Sequence, residues 1–443
     1  EDYFCLQNNS PLSLVLTKTQ TTSAPNATTT TPEKETLAKL QSDAEHSIAY
    51  KNLQRAAIFL LNHKLNIIGH RFEIGPLTHT ISLNDMEGYR LRFAANTTEI
   101  LNKHLQTGAY LAYGTRDKAY KFRVNLTAAI SRQNRINISF LQDLNIPGRN
   151  ILDDDRDVLY KSLKNSGGEY KTLQKVMFAE LEKNLPNALT LKISAQHTID
   201  TPKGLMTYQI TSANEQQTIQ SLTTFETAIS FRIAPEEKYI LIRGRKYIFK
   251  HPKFDLRFGQ RFGFKGVAGS QYRYQITDLS ASKNFNLPAK TGQVHVNISS
   301  GKIWNKVPFP LLFIPAGSQS RFVYEPAEYN LLNLYEAVSD MFLASNINLT
   351  INFSPLKIFL PKNEIQTNLG LKTLSGQLSN KNKPAHSANL FDFQNIISPI
   401  GDKPYLEGNI GFGNIFRLLR LDYVYRFQTP HKNAIMISLK LPL

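Results

Sequence analysis

Cysteine is almost absent. Cys5 stands alone in 443 residues, which excludes an intrachain disulfide and the small disulfide-framed folds that depend on one. Long hydrophobic runs are missing too. The nearest is AAIFLL at residues 56–61, far short of the roughly 20 apolar residues a membrane-crossing helix needs. No targeting segment stands at Glu1. Acidic residues are scarce against basic ones, 35 against 52, leaving a net charge of +17. Such an excess on a soluble protein raises nucleic acid first. Here many cations, among them Arg90, Arg92, Lys121, Arg123, Arg257, Arg420 and Arg426, fall on the polar parity of alternating segments. A cationic lumen or loops facing anionic head groups accounts for them, and no nucleic-acid partner is expected.

What the chain has instead is alternation. Residues 343–353 read LASNINLTINF: Leu343, Ile347, Leu349, Ile351 and Phe353 share one parity, and Asn346, Asn348, Thr350 and Asn352 the other. A strand sends successive side chains to opposite faces, so this segment has an apolar face and an amide face. Asn is poor in ordinary strands, and three on one face suggest a face that looks at water inside something. The pattern recurs. Tyr120, Phe122, Val124 and Leu126 oppose Lys121, Arg123, Asn125 and Thr127; Val294, Val296 and Ile298 oppose Gln293, His295 and Asn297; Leu419, Leu421 and Tyr423 oppose Arg420, Asp422 and Arg426. About sixteen such segments are expected, an even number that suits a transmembrane antiparallel β-barrel. They lie near 64–75, 89–97, 105–114, 119–130, 135–144, 188–199, 205–213, 223–234, 253–264, 271–283, 290–303, 343–353, 363–374, 404–413, 418–428 and 433–442. A soluble sandwich or propeller would alternate as well. The abundance of Tyr and Phe at strand ends suits a membrane interface better, and no blade-length repeat is present.

The all-β barrel is therefore assigned to 64–443. Residues 1–63 form an N-terminal periplasmic segment: a Thr-, Ser- and Pro-rich linker over 8–36, then helix-like residues over 33–62. Three long connections, 145–187, 304–342 and 375–403, follow the fifth, eleventh and thirteenth segments and so emerge on one side. Long loops of outer-membrane barrels are extracellular and short turns periplasmic, which sets both termini in the periplasm. The first long connection contains EYKTLQKVMFAELEKN (169–184), read as a helix that caps the lumen or meets a partner. The connection 235–252 is too long for a periplasmic turn and leaves room for a further hairpin.

Several stretches resemble one family closely: EDYF (1–4), IGPLTHTISLNDMEGYRLRF (74–93), AYGTRDKAYKF (112–122), HPKFDLRF (251–258), LYEAVSDMF (334–342) and, most specifically, PYLEGNIGFGNIFRLLRLDYVYRF (404–427). The sequence is similar to a large barrel family of Bacteroidota outer membranes, of unknown function, that usually follows a carboxypeptidase-regulatory-like β-sandwich. The resemblance implies an upstream sandwich and a signal peptide. The layout is more distantly similar to the superfamily of barrel-assembly insertases and two-partner-secretion transporters, whose sixth extracellular loop folds into the lumen; 304–342 occupies that place. The superfamily's Arg-Gly-aromatic loop motif is not found there: Arg243-Gly244 is in another connection and followed by Arg245. The chain also ends in Leu443 rather than an aromatic residue.

No HExxH, Cys/His metal spacing, GxSxG or P-loop occurs. The acidic cluster DDDRD (153–157) reads as a solvated loop more readily than a calcium site, lacking the glycine and distal Glu of a calcium loop. His295 reads as a satisfied interior histidine rather than an acid or base. Arg420, Asp422, Arg426 and Glu407 read as an interior salt-bridge network that stiffens the wall or anchors an inserted loop. The expected lumen-facing set is Arg90, Arg92, Arg257, His295, Asn346, Asn348, Asn352, Glu407, Arg420, Asp422 and Arg426. No catalytic residue, metal or cofactor is expected. The expected role is non-enzymatic, in envelope protein assembly, insertion or translocation; the alternatives are an anion-favouring channel and a docking subunit of a larger complex. Expected partners are outer-membrane lipid and lipopolysaccharide, and envelope proteins meeting 145–187 and 304–342.

Overall fold

The computed structural model describes residues 65–439, apart from 77–78, 132, 154–169, 213–214, 243–244, 318–322, 354–364 and 416–418. The linker over 8–36, the helices over 33–62, Arg243-Gly244, Leu443 and all but the first residue of DDDRD lie outside the described residues. What is described belongs to one compact unit, Leu65–Pro442.

Alternation becomes strand almost everywhere. The strands are β1 Leu65–Ile67, β2 Phe72–Ile74, β3 Ile81–Asn84, β4 Gly88–Thr97, β5 Leu105–Gly114, β6 Tyr120–Ala129, β7 Asn134–Asn145, β8 Tyr170–Leu185 and β9 Leu189–Gly204. There follow β10 Gln209–Ser212, β11 Glu215–Thr218, β12 Leu222–Ile233, β13 Lys238–Ile242, β14 Arg245–Lys250, β15 Phe254–Gly263, β16 Tyr274–Asn286 and β17 Gly292–Ile303. The last are β18 Met341–Ile351, β19 Gln366–Gln377, β20 Tyr405–Ile415, β21 Leu419–Arg426 and β22 Lys432–Leu439. Eighteen of them make one sheet in which each strand runs antiparallel to its neighbours. β10–β11 and β13–β14 are separate hairpins; the second fills the overlong connection near 235–252.

Three expectations are corrected. The segment 169–184 is no helix: β8 pairs along its whole length with β9 and from Thr172 to Lys183 with β7. Its Glu, Lys, Leu and Ala favour helices, but Met177, Ala179 and Leu181 point outward while Gln174, Glu180 and Glu182 point inward. Cross-strand pairing on both edges overrides a weak local preference. The segment 205–213 is not a barrel strand; only Gln209–Ser212 is extended, in a loop hairpin. The segment 64–75 is two three-residue strands, split by a turn in which Ile68, Gly69 and His70 have φ of 50°, 62° and 63°. Glycine carries such a φ without penalty, and the turn reverses the chain there.

β2 and β3 lie end to end along β4. Counting them as one position and leaving β1 as a short edge strand, the eighteen strands occupy sixteen positions. The missed β8 and the misplaced 205–213 offset one another, so LASNINLTINF remains in the twelfth. The connections 146–169, 205–221, 304–340 and 378–404 all follow odd positions and emerge at one end.

The sheet is rolled around the segment 304–340, which touches β8, β19, β20, β21 and β22. Among the described residues, β1 and β2 make no pairing with β22, so the two edges are not joined. The outward face carries Phe93, Leu111, Phe140, Leu279, Ile298, Leu343, Leu421 and Ile435, all exposed. An apolar band of that extent is far larger than a soluble monomer leaves bare. The largest apolar core is not within the wall but at the end where long loops meet. There Tyr208 stacks on Phe391 with centroids 4.6 Å apart, and Phe309 meets both edge-on. Asp392 N–H donates to the Gln209 carbonyl and the Thr211 hydroxyl to Asp392, which ties the loops 205–221 and 378–404 together.

Candidate functional site

The interior segment is the feature to explain, because its backbone could be buried only with its polar groups satisfied. The inward face of β18–β22 supplies the partners. Lys372 on β19 and Glu407 on β20 sit directly opposite each other across the ladder, both almost fully buried, with Nζ and Oε1 3.8 Å apart. Between them they hold one turn of the segment. Glu407 accepts the backbone N–H groups of Asn330 (3.0 Å) and Leu331 (2.8 Å), and the Tyr405 hydroxyl at 2.8 Å. Lys372 Nζ donates to the carbonyls of Glu325 (3.0 Å) and Glu328 (2.5 Å). Cation on carbonyls and carboxylate on amides form a clamp of charge-assisted bonds, stronger than neutral ones.

Tyr324 lies beside this clamp, fully buried against Leu331, Val424 and Met436. The Arg420 guanidinium sits 4.6 Å from its ring centre, and its hydroxyl donates to Asn409 Oδ1 at 3.1 Å. Arg420 is held in turn by Asp422, at 2.6 and 2.9 Å, and Asp422 also accepts from Asn409. Gly411 makes room for that carboxylate: a Cβ there would fall 2.2 Å from Asp422 Oδ1. Arg426 reaches Glu336 with both guanidinium nitrogens, at 2.5 and 3.2 Å, and Arg149 meets Glu328 at 3.3 Å from the loop after β7. The segment also borrows backbone pairing: Tyr324 N–H donates to the Ile437 carbonyl on the unpaired edge of β22.

Burial pushes the Glu336 carboxyl upward, but the Arg426 hydrogen bond and charge hold it below the usual carboxylate range. A carboxylate with a depressed folded pKa adds stability that is present above its unfolded value, near 4.5, and is lost as pH falls through the folded value. Limited digestion with an acid-tolerant protease is therefore expected to cut 327–337 faster below about pH 4. Arg426→Gln removes that pH dependence. Equal cutting of the parent protein at pH 7 and pH 3 would count against the anchor.

The remaining residues of the expected set are scattered. Arg90 is tied to Asp143, at 2.6 and 2.7 Å, and to Glu87 at 3.0 Å. Arg92 lies 3.8 Å over the Tyr110 ring. His295 shares a 2.6 Å hydrogen bond with Asn284. Arg257 is exposed near the other end of the wall and pairs with Asp255. Of the amide face in β18, Asn346 donates to the interior segment, at the Pro326 carbonyl (2.9 Å); Asn348 bonds Asn346, and Asn352, just past the strand, accepts from Gln366. Sequence reasoning missed Lys372, Asp143, Tyr324 and Glu336. Lys372 was visible as the charge opposing Leu369 and Leu371. The others come together only through pairings the alternation does not specify.

Below the clamp lies a cavity of about 1120 Å3, lined by inward residues of β6 through β19 and by 310–316 and 327–329. Its lining holds Arg123, Arg149, Lys192, Arg261 and Lys372 against Glu180, Asp200, Glu226, Asp278 and Glu328. Five cations and five carboxylates leave no cationic bias, so the net charge of +17 is not concentrated there.

The fold and site define a class: an all-β chain in one rolled antiparallel sheet, with an apolar outward face and an interior crossed by its own anchored segment. Residues 188–382, from the start of β9 past the end of β19, match the model of a C-terminal domain from a family of unknown function, DUF5686. No curated protein matches the sequence. Among solved structures, BamA from Haemophilus ducreyi lacking POTRA domains 1–3 is similar at 10% identity and a TM-score of 0.49, over 91% of this chain and 82% of that one. CdiB from Escherichia coli is similar at 9% identity and 0.44, over 81% and 60%. OccK11 (OpdR) from Pseudomonas aeruginosa is similar at 11% identity and 0.30, over 79% and 87%.

Proposed function

We propose that this chain is an integral outer-membrane β-barrel protein, without enzymatic activity, that assembles, inserts or translocates other envelope polypeptides. One observation carries the reading: residues 323–340 occupy the interior while, among the described residues, the edge of β22 has no strand partner. A solute pore calls for the reverse, a sealed ladder around an open path. An unpaired strand edge is a template for another chain's backbone, which adds by hydrogen-bonding to it. The outward apolar band supports the membrane setting, and the gathering of the long connections at one end supports an orientation with that end outside and the termini in the periplasm. The sequence resemblance extends this to a Bacteroidota envelope protein following a carboxypeptidase-regulatory-like domain.

The partners are lipid around the wall and envelope proteins at the loop end. Of the two connections first expected to meet partners, residues 323–340 face inward and 170–185 is wall. The anion-favouring channel rested on a cationic lumen; the balanced cavity lining removes that motive.

The test uses the full chain in liposomes with a urea-unfolded outer-membrane barrel as client. Client folding is expected to speed up by about tenfold, a barrier change of roughly 1.4 kcal/mol, with no steady current in planar bilayers. Unchanged client folding together with stable anion-selective conductance would replace this reading by the channel.

A further inference from the structure

The outward face of the wall ends, at the loop end of β16–β18, in a group of cations with no acidic partner among the described residues. Lys302 closes β17 on the outward parity, opposite Thr277 and Met341. Its ammonium sits 4.1 Å from the centre of the Trp304 ring. Trp304, the single tryptophan of the chain, is half exposed, and its indole N–H donates to the Thr277 hydroxyl at 2.9 Å. Lys381, from the loop after β19, donates to the Trp304 carbonyl at 2.8 Å. Lys306 donates to the Ala388 carbonyl, also at 2.8 Å. Every partner of these three ammoniums is neutral: a ring, a carbonyl, a carbonyl. Among the described residues no carboxylate lies within ion-pair distance of any of them, although carboxylates pair with cations throughout the interior.

Position gives the charge a meaning. One row below Lys302 on the same face come Leu279 and Leu343, exposed members of the apolar band, with Ile298 and Ile347 deeper. A half-exposed indole at the rim with its N–H bonded to the wall is the arrangement of a membrane-interface aromatic. Lys302, on the same face as that band, can run its apolar stem along the wall and carry its ammonium to head-group depth. Held by neutral groups, the three charges remain free to attract an anion, and a flexible lysine does so as a point charge.

We infer that Lys302, Lys306 and Lys381, set around Trp304, form a docking site for the phosphorylated head group of a lipid in the leaflet at the loop end, a phosphorylated glycolipid of the lipid A type. The assignment rests on the orientation proposed above, with the long loops outside. Each ammonium near a phosphate-bearing surface contributes about fivefold in affinity, so losing all three costs on the order of 100-fold.

The experiment uses the full chain in phosphatidylcholine nanodiscs doped with diphosphoryl lipid A or with its dephosphorylated form, with bound lipid read by native mass spectrometry. The parent protein is expected to retain diphosphoryl lipid A and not the dephosphorylated form. The K302Q/K306Q/K381Q variant is expected to lose it by about 100-fold, and K302R/K306R/K381R to keep it. Equal retention of both lipids, or retention by the glutamine variant, overturns the site. Inorganic phosphate that displaces the lipid completely at millimolar concentration overturns the lipid assignment in favour of a bare anion site. Lys381→Cys in a Cys5→Ser background, labelled on intact cells by an impermeant reagent, checks the orientation separately; labelling only after permeabilisation overturns it. The lipid readout is independent of client folding, so either proposal can fail without the other.

Discussion

Glu407→Ala is expected to unseat the interior segment and turn a silent protein into a conducting one. The substitution leaves Lys372 buried without its carboxylate and strips the acceptor from the amides of Asn330 and Leu331. Breaking one side of a buried charge pair costs about 3–5 kcal/mol, because the other charge stays behind unpaired. On a two-state segment that moves the seated-to-unseated ratio by about 100-fold or more. Glu407→Gln keeps one acceptor oxygen for the amides and loses about 1–2 kcal/mol instead. Planar-bilayer recordings should show frequent large openings for the alanine variant, few for the glutamine variant and almost none for the parent. A heat-modifiability gel separates unseating from failure to fold, since the rolled sheet should still migrate as the compact form. Silent bilayers from a correctly folded alanine variant would mean that the clamp does not hold the segment.

The second large effect belongs to the loop-end core. Phe391→Ala removes the ring that stacks on Tyr208 and meets Phe309 edge-on, in a cluster where all three are fully buried. Deleting such a side chain costs about 3–5 kcal/mol, the spread reflecting how far the hole collapses. The loss should be local. Backbone amides that stitch the loops, Asp392 to Gln209 and Ile219 to Tyr208, are expected to exchange hydrogen far faster, while those of the ladder between β8 and β9 keep their protection. Unchanged exchange at Asp392 and Ile219 would show that the cluster does not stabilise the loops.

Much of the wall was legible in the sequence because its signal is local. Inward and outward residues differ at period 2, and β4 through β7, β12 and β15 through β22 fall within a few residues of where alternation puts them. β8 was hidden by its own composition: Glu, Lys, Leu and Ala lower the contrast between faces and favour a helix, and only two neighbouring strands decide otherwise. The segment 205–213 showed the opposite failure. Met206 and Tyr208 alternate like wall residues, but what buries them is a loop cluster assembled from four distant connections. The site was half legible. Glu407, Arg420, Asp422 and Arg426 stand out as charges on an otherwise apolar–polar alternation, and an anchoring network was a natural reading. Which backbone they hold was not, because Asn330 and Leu331 bear no mark of an amide pair awaiting a carboxylate. Arg90 likewise advertises a charge but not Asp143, 53 residues away, as its partner.

The segment 304–340 leaves the wall after β17 and meets Arg149, Tyr170 and Tyr208 from earlier strands and loops, yet the clamp that seats its 324–336 turn comes later in the chain: Lys372, Glu407, Arg420, Arg426 and the Ile437 carbonyl. That turn therefore lacks its clamp until β19 through β22 have formed, and Val424 and Met436, turned inward on those strands, pack on Tyr324 and Leu331 only once it arrives. Contacts of such long sequence separation form late, after the chain entropy of closing the loops has been spent. The last quarter of the wall and the segment inside it are thus one folding unit. A chain that stalls before β20 would carry a finished N-terminal wall and a loose thread, so the clamp is also a checkpoint that only a complete chain can pass.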